Sequence, residues 1–219
     1  MTRTRWIIFV VICISILGLV FWSNKQTVAP FKGDASKIIT DGPIGDHVFG
    51  LATSKVLLIE YGDFQCPACG SMFPYVKQIK EQYKDRIAFV FRDMPLTSIH
   101  PNALAAATVA EAAGLQNKFY EMHDLLYQNQ SSWSSTSGNA RTAFFEGLAK
   151  QLNLDINKFR NDLDSSDITQ KITRDRSTSN VFAVDSTPTF VLNGQKLSGV
   201  TGSNGDKLKK AVDDALNGQ

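Results

Sequence analysis

The longest unbroken run of apolar residues comes first. Trp6 to Trp22 carries no charge, and every later hydrophobic pattern has a shorter range. At ~1.5 Å per helical residue this run reaches roughly 25 Å, slightly short of a ~30 Å hydrocarbon core. Tryptophans stand at both ends, as suits the two membrane interfaces. Arg3 and Arg5 precede the run and only Lys25 follows closely. That charge bias predicts a single transmembrane helix with a cytoplasmic N-terminus and an exported remainder. The alternative is a cleaved signal peptide and a secreted product. Its best cleavage site, Thr27-Val28-Ala29, is followed by an unfavourable Pro30, so the retained anchor is preferred. Ser23 to Gly45 is polar and punctuated by Pro30, Gly33, Gly42 and Pro43, and reads as a tether.

Beyond the tether the period alternates between strand and helix. Asp46 to Gly50 offers a short edge strand, with His47 expected in solvent. Lys55 to Tyr61 is apolar on both alternating faces apart from Glu60, as expected of a central strand covered on both sides. Cys69, Met72, Phe73, Val76, Ile79 and Tyr83 then fall on one helical stripe. Ile87 to Arg92 is the next strand. From Pro95 to about Asp185 the pattern is helical, with stripes at Asn102–Ala113 (closed by Gly114), Phe119–Leu126, Phe144–Leu152, Ile156–Leu163 and a longer return through Ile168, Ile172 and Phe182. A serine-rich loop, 131–138, interrupts this block. Thr189–Leu192 and Gln195–Ser198, joined by Asn193-Gly194, form a hairpin, and a final stripe runs from Leu208 to Leu216.

Composition narrows the function mainly by exclusion. A net charge of +2, with no run of five like charges, gives no footprint for nucleic acid. Of three cysteines, Cys13 lies in the apolar run and reads as a membrane-buried side chain; Cys66 and Cys69 remain. In an oxidising compartment a pair this close closes too short a loop to stabilise much, so it is read as a working pair. Half a zinc site and a structural disulfide are the alternatives, but a zinc site needs two further ligands.

The pair stands where a strand gives way to a helix, with Pro67 suited to the first turn. First-turn N–H groups lack intrahelical acceptors, and the helix dipole is positive there. A thiolate at Cys66 is therefore favoured, and Cys66 is expected to be the exposed attacking thiol. Cys69, one turn inside, is expected to be buried and to resolve the mixed disulfide. Glu60 is expected beneath the pair, with a raised pKa and an influence on proton transfer at Cys69. His100 and His123 have no arguable link to the cysteines, and His123 reads as a packed or capping residue.

The segment Glu60-Tyr61-Gly62-Asp63-Phe64-Gln65-Cys66-Pro67-Ala68-Cys69 resembles the active-site segment of DsbA-like thioredoxin-fold proteins. Thr187-Pro188-Thr189, followed by Phe190-Val191-Leu192-Asn193-Gly194, resembles the family's cis-proline loop and the hairpin after it. Pro74 matches the proline that kinks the active-site helix, and Glu60 matches the buried acid. The resemblance covers about residues 46 to 219. It implies an α/β thioredoxin fold in two parts, 46–96 and 185–219, flanking an all-helical insertion at 97–184. Residues 1–24 would be the membrane anchor and 25–45 the linker.

The resemblance further implies a protein thiol–disulfide oxidoreductase held outside the cytoplasmic membrane, introducing disulfides into reduced exported proteins through Cys66–Cys69. Thr187 and Pro188 would dock an extended substrate strand beside Cys66. No organic cofactor would be bound, and a quinone-linked membrane thiol oxidase would restore the disulfide. The insertion would shape substrate and partner contact and supply no catalytic residue. Ala68 stands where DsbA-type oxidants often have histidine, which should make the pair less oxidising. An isomerase or reductase of the same fold, and an anchored copper-binding module, remain alternatives.

Overall fold

A computed structural model of the protein describes residues 42–202 and 204–218. The apolar run 6–22, Cys13 and most of the linker lie outside the described residues, and with them the expected anchor. Among the described residues no helix is long and apolar enough to cross a membrane.

Five strands form one sheet in the order β1-β3-β2-β4-β5. They are β1 (Val48–Gly50), β2 (Leu57–Gly62), β3 (Ala88–Asp93), β4 (Thr189–Leu192) and β5 (Gln195–Lys196). The central pair β2–β3 is parallel, with Glu60 opposite Phe91. The other pairings are antiparallel. A parallel pair needs a crossover, and helix α1 (Pro67–Gln82) supplies it. Every residue of β2 and β3 is buried, as the two apolar faces of Lys55–Tyr61 predicted. Val56 and Leu58 face one side, packed with Met72, Val76 and Ile79 of α1 and with Leu208, Val212 and Leu216 of the last helix, α8 (Gly205–Asn217). Leu57, Ile59 and Tyr61 face the other, with Val90, Val184 and Val191. Asn193 and Gly194 both adopt the left-handed backbone that a two-residue hairpin turn requires.

Six helices lie between β3 and β4: α2 (Ala103–Gly114), α3 (Phe119–Gln128), α4 (Gln130–Trp133), α5 (Gly138–Gln151), α6 (Ile156–Asp162) and α7 (Ser166–Ser179). The fold is a thioredoxin fold carrying an all-helical insertion.

Several local expectations change. The serine-rich loop contains α4, and its Trp133 is fully buried, donating its indole N–H to Leu126 O at 2.8 Å. A buried indole anchors a segment that composition marks as loop. The return helix stops at Ser179, and Phe182 belongs to a 3₁₀ turn that ends in the left-handed Ala183. The returning hairpin strand is only Gln195–Lys196, both exposed. The tether ends earlier than Gly45, because Ile44 is buried in the main core and its carbonyl accepts from Arg174.

His47 is not in solvent. Its ring stacks on Phe119 at 4.0 Å, and Nε2 lies 2.8 Å from Glu111 Oε2. Gly114, the last residue of α2, also makes room for this ring. A Cβ there would come within 2.5 Å of the His47 ring.

Glu111 opens onto a buried charged cluster where the insertion meets the sheet. The Lys171 ammonium sits 2.5 Å from Asp175 Oδ2 and 3.5 Å from both Asp46 Oδ1 and Glu111 Oε1. Arg92 donates to Asp46 Oδ2 at 2.7 Å and to the Tyr61 hydroxyl at 3.0 Å. The carboxyls of Asp93, Glu111 and Asp175 lie within 4.8 Å of one another. Burial, reinforced by the neighbouring Glu111 and Asp175 charges, pushes the Asp93 carboxyl well above the usual carboxylate range. Lys171 draws Glu111 below the usual carboxylate range against the cost of burial. Nothing in the spacing of residues 46, 92, 93, 111, 171 and 175 brings them together in sequence.

Candidate active site

The β2–α1 junction places the cysteine pair. Cys66 is the N-cap of α1 with extended backbone, Pro67 opens the first turn, and no acidic side chain stands in that turn. Pro74 lies inside the helix, where it removes one backbone hydrogen bond. Both thiols are free.

The two sulfurs differ in environment. Cys66 is 7% exposed and Cys69 0%. The order is as expected, yet Cys66 is less open than an exposed thiol, because the 187–188 loop covers it. Its Sγ donates to the Thr187 carbonyl at 3.5 Å. The Thr187–Pro188 bond is cis.

Their ionisation is split accordingly. Hydrogen bonding from the Cys69 thiol, the largest favourable influence, joins Thr187 and the first-turn backbone N–H groups of Cys69 and Ala68. Together they outweigh burial and lower the Cys66 thiol to about 5. Burial first, then the bond it gives to Cys66 and the nearby Glu60 charge, push Cys69 well above the ordinary thiol value.

Glu60 lies on β2 between Phe91 and Phe190, 2% exposed. Burial raises its carboxyl to about 8, with the Lys80 ammonium working in the opposite direction and Cys66 adding to the rise. Lys80 itself sits in an aromatic slot 4.7 Å from the rings of Phe49 and Tyr120 and pairs with Asp124 at 3.0 Å. His123 is buried among aromatic rings, and burial lowers it to about 4, so it is a neutral packing residue near neutral pH.

A carboxyl whose folded pKa is raised destabilises the fold wherever the unfolded chain has already ionised. Stability should thus fall as pH rises from about 4.5 to about 8. Glu60→Gln is expected to flatten that slope and to stabilise the protein at pH 8 by up to about 5 kcal/mol. It should also change the pH dependence of exchange. Denaturant unfolding and exchange rates measured from pH 4 to 9 check both; an unchanged slope in each would remove the role assigned to Glu60.

Residues that the sequence reading left out hold the loop before Cys66. Asp63 accepts from Gln65 N at 2.7 Å and Leu96 N at 2.9 Å, and meets His100 Nδ1 at 2.7 Å. His100 therefore stands one residue contact from the active-site loop, a position its sequence distance concealed. Gln65 binds the Asn102 N–H at 2.6 Å and the Ser134 carbonyl at 2.7 Å. From the insertion, Gln130 donates to the Phe64 and Cys66 carbonyls at 2.7 and 2.9 Å. The only signal available in sequence was the polar Asp63 and Gln65 within an otherwise apolar junction.

Comparison with known proteins agrees with this geometry. A family model described as Thioredoxin matches residues 43–214. A protein named Na(+)/H(+) antiporter NhaA 1, from Salinispora arenicola, is 39% identical over 187 residues, covering 85% of this chain and 27% of its own length. One named Na(+)/H(+) antiporter NhaA 3, from Salinispora tropica, is 38% identical over 168 residues, covering 77% and 24%. The chain thus spans about a quarter of the length of these curated relatives, and the antiporter name is that of the whole proteins. Among solved structures, α-DsbA1 of Wolbachia pipientis superposes with a TM-score of 0.69 at 21% identity, over 84% of this chain and 96% of that one. BdbD of Bacillus subtilis gives 0.67 at 18% identity, over 78% and 93%. At those identities the likeness speaks for the fold.

Proposed function

The chain belongs to the thioredoxin family and has the fold of DsbA-like thiol–disulfide oxidoreductases, and from this we propose that it oxidises the thiols of exported proteins. The observation that carries the reading is the split between the cysteines: Cys66 lowered to about 5 at a helix N-terminus, Cys69 raised and buried.

The disulfide between Cys66 and Cys69 is the working oxidant. A substrate thiolate attacks Cys66 sulfur, forming a mixed disulfide and expelling Cys69 as a thiolate that takes up a proton. A second substrate thiolate then attacks the substrate sulfur of the mixed disulfide. Cys66 leaves as a thiolate, and the substrate gains a disulfide while two electrons pass to the cysteine pair. Leaving is easiest for the thiol of lowest pKa, which favours release of oxidised substrate. Thr187 and Pro188 beside Cys66 would align an extended substrate strand. A quinone-linked membrane thiol oxidase would take the electrons away, and the segment 6–22 would hold the domain at the outer face of the membrane.

A reduced state stabilised through the Cys66 thiolate corresponds to an oxidising couple. Equilibration with glutathione is expected to give a reduction potential less negative than about −200 mV. In a matching assay the oxidised protein should restore activity to a reduced, disulfide-dependent enzyme. A potential near thioredoxin's, about −270 mV, would assign the protein to the reductant direction.

A further inference from the structure

We infer that Gln130, a residue of the helical insertion, is a positioning residue of the redox site. Its side-chain amide clamps the Cys66 carbonyl and thereby aims the Cys66 sulfur at the open N–H groups of the first turn of α1. The inference rests on thiol exchange at Cys66–Cys69 and adds a group that acts on it through the backbone.

Cys66 is the N-cap of α1, with φ −67° and ψ 122°, and its side chain makes no capping bond. The place of its sulfur therefore depends on how its own peptide groups are held. The N–H donates to the Asp63 carbonyl at 3.0 Å, and the carbonyl accepts from Gly70 N at 3.0 Å. Both bonds are local, and helix ends held only by local bonds fray. Gln130 Nε2 adds two from across the chain, at 2.9 Å to the Cys66 carbonyl and 2.7 Å to the Phe64 carbonyl. Two carbonyl oxygens converge on one atom only where that atom donates, so the NH2 faces them with one hydrogen each. The clamp spans the turn from β2 into α1 on both sides of Gln65.

The amide has its own seat. A Cβ at Gly70 would stand 2.4 Å from Gln130 Oε1 and 3.1 Å from Nε2, so glycine there admits the amide against α1. Gln130 opens α4, and the buried Trp133 indole anchors that helix. The active-site loop reaches back to the same segment through Gln65, whose side chain donates to the Ser134 carbonyl at 2.7 Å. Asn102 Nδ2 holds the Ser134 and Thr136 carbonyls at 3.1 and 2.8 Å. Water could satisfy the Phe64 and Cys66 carbonyls at this half-buried place, whereas a side chain fixed at its other end adds direction. Direction matters because first-turn N–H groups act on a charge over about one turn only. A small rotation of the Cys66 peptide takes the sulfur out of their reach and away from the Thr187 carbonyl, now at 3.5 Å.

The test reads the Cys66 thiolate of the reduced protein as its rate of alkylation by a small neutral reagent across acidic and neutral pH. Peptide mass identifies the cysteine labelled, and no exchange activity is required. Gln130→Met keeps the length and loses the donor. It should lower the Cys66 thiolate-to-thiol ratio at pH 5 about fivefold, the size of a helix-end effect. Gly70→Ala leaves Gln130 in the chain but displaces its amide, while alanine favours the helix. It should shift Cys66 in the same direction without loss of stability, which urea unfolding checks. It also keeps the test open if Gln130→Met folds poorly. The double variant should shift no further than either single one, because both remove the same clamp. An unmoved Cys66 profile in both single variants would overturn the inference and leave Gln130 as a bond that only holds the insertion. A shift in Gln130→Met that a stable Gly70→Ala protein does not share would overturn it too. The expected shifts without oxidation of protein thiols would keep Gln130 in its role and count against the proposed function.

Discussion

Cys66→Ser and Cys69→Ser are both expected to reduce disulfide transfer to the uncatalysed background, because neither can hold the Cys66–Cys69 disulfide. Offered substrate disulfides, Cys69→Ser alone should stall as a mixed disulfide, its Cys66 thiolate attacking one substrate sulfur and releasing the other as a thiol. The asymmetry follows from the two environments. With its thiol near 5, about 99 in 100 Cys66 side chains are thiolate at pH 7, against about 3 in 100 for an ordinary thiol. Intrinsic nucleophilicity falls as pKa falls, by roughly fiftyfold over that gap. The two effects nearly cancel for attack by Cys66. What the low pKa improves is the departure of Cys66 when a second substrate thiolate attacks the mixed disulfide.

Stability should carry the same signature. A thiol whose folded pKa is depressed stabilises the reduced protein above the unfolded thiol value. That contribution is lost as pH falls through about 5. Reduced protein should therefore resist urea better than oxidised protein at pH 7 and lose the advantage on acidification. Gel-shift trapping of mixed disulfides and paired urea titrations check these outcomes. Mixed disulfides that accumulate in Cys66→Ser rather than Cys69→Ser would exchange the two roles.

Lys171→Met should be the most damaging substitution away from the cysteines. Lys171 is fully buried, with Asp175, Asp46 and Glu111 around its ammonium. These partners come from α7, the chain before β1, and α2, so one side chain joins the insertion to the sheet. Breaking a buried ion pair from one side leaves uncompensated charge and costs about 3–5 kcal/mol. For a domain of this size that lowers Tm by roughly 10 °C or more. The loss should be smaller near pH 4, where the carboxyls left behind can take up protons. It should also be partly recovered in Lys171→Met with Asp175→Leu, since contacting sites are not additive. Urea and thermal unfolding of the two variants measure this. A loss under about 1 kcal/mol would mean the cluster contributes little to holding the insertion in place.

Much of the fold was legible because periodicity reports burial directly. The Lys55–Tyr61 run gave a two-faced strand, and the Cys69-to-Tyr83 stripe gave the helix beside it. Asn193-Gly194 gave a hairpin, because only a left-handed turn closes one so tightly. The chemistry of Cys66 was legible for a similar reason. A cysteine before a helix-opening proline meets unpaired N–H groups through local backbone geometry alone. Where composition misled, a single long-range contact was responsible. The serine-rich 131–138 segment looked like loop until the Trp133 indole found Leu126 O, and His47 looked solvated until Phe119 and Glu111 closed on it.

Legible in the sequence alone were the strand-to-helix junction, the greater exposure of Cys66 over Cys69, the burial of Glu60, and the helical character of the block before the closing hairpin. All of these depend on neighbours within a few residues or on a regular period. Contacts in space were needed to show that Thr187 covers Cys66, that Gln130 and His100 hold the loop before it, and that Lys171 meets Asp46 and Glu111 from separate elements. Those contacts join residues 37 to 125 positions apart. A hydrogen bond or an ion pair is set by distance and desolvation in space, and sequence separation carries neither.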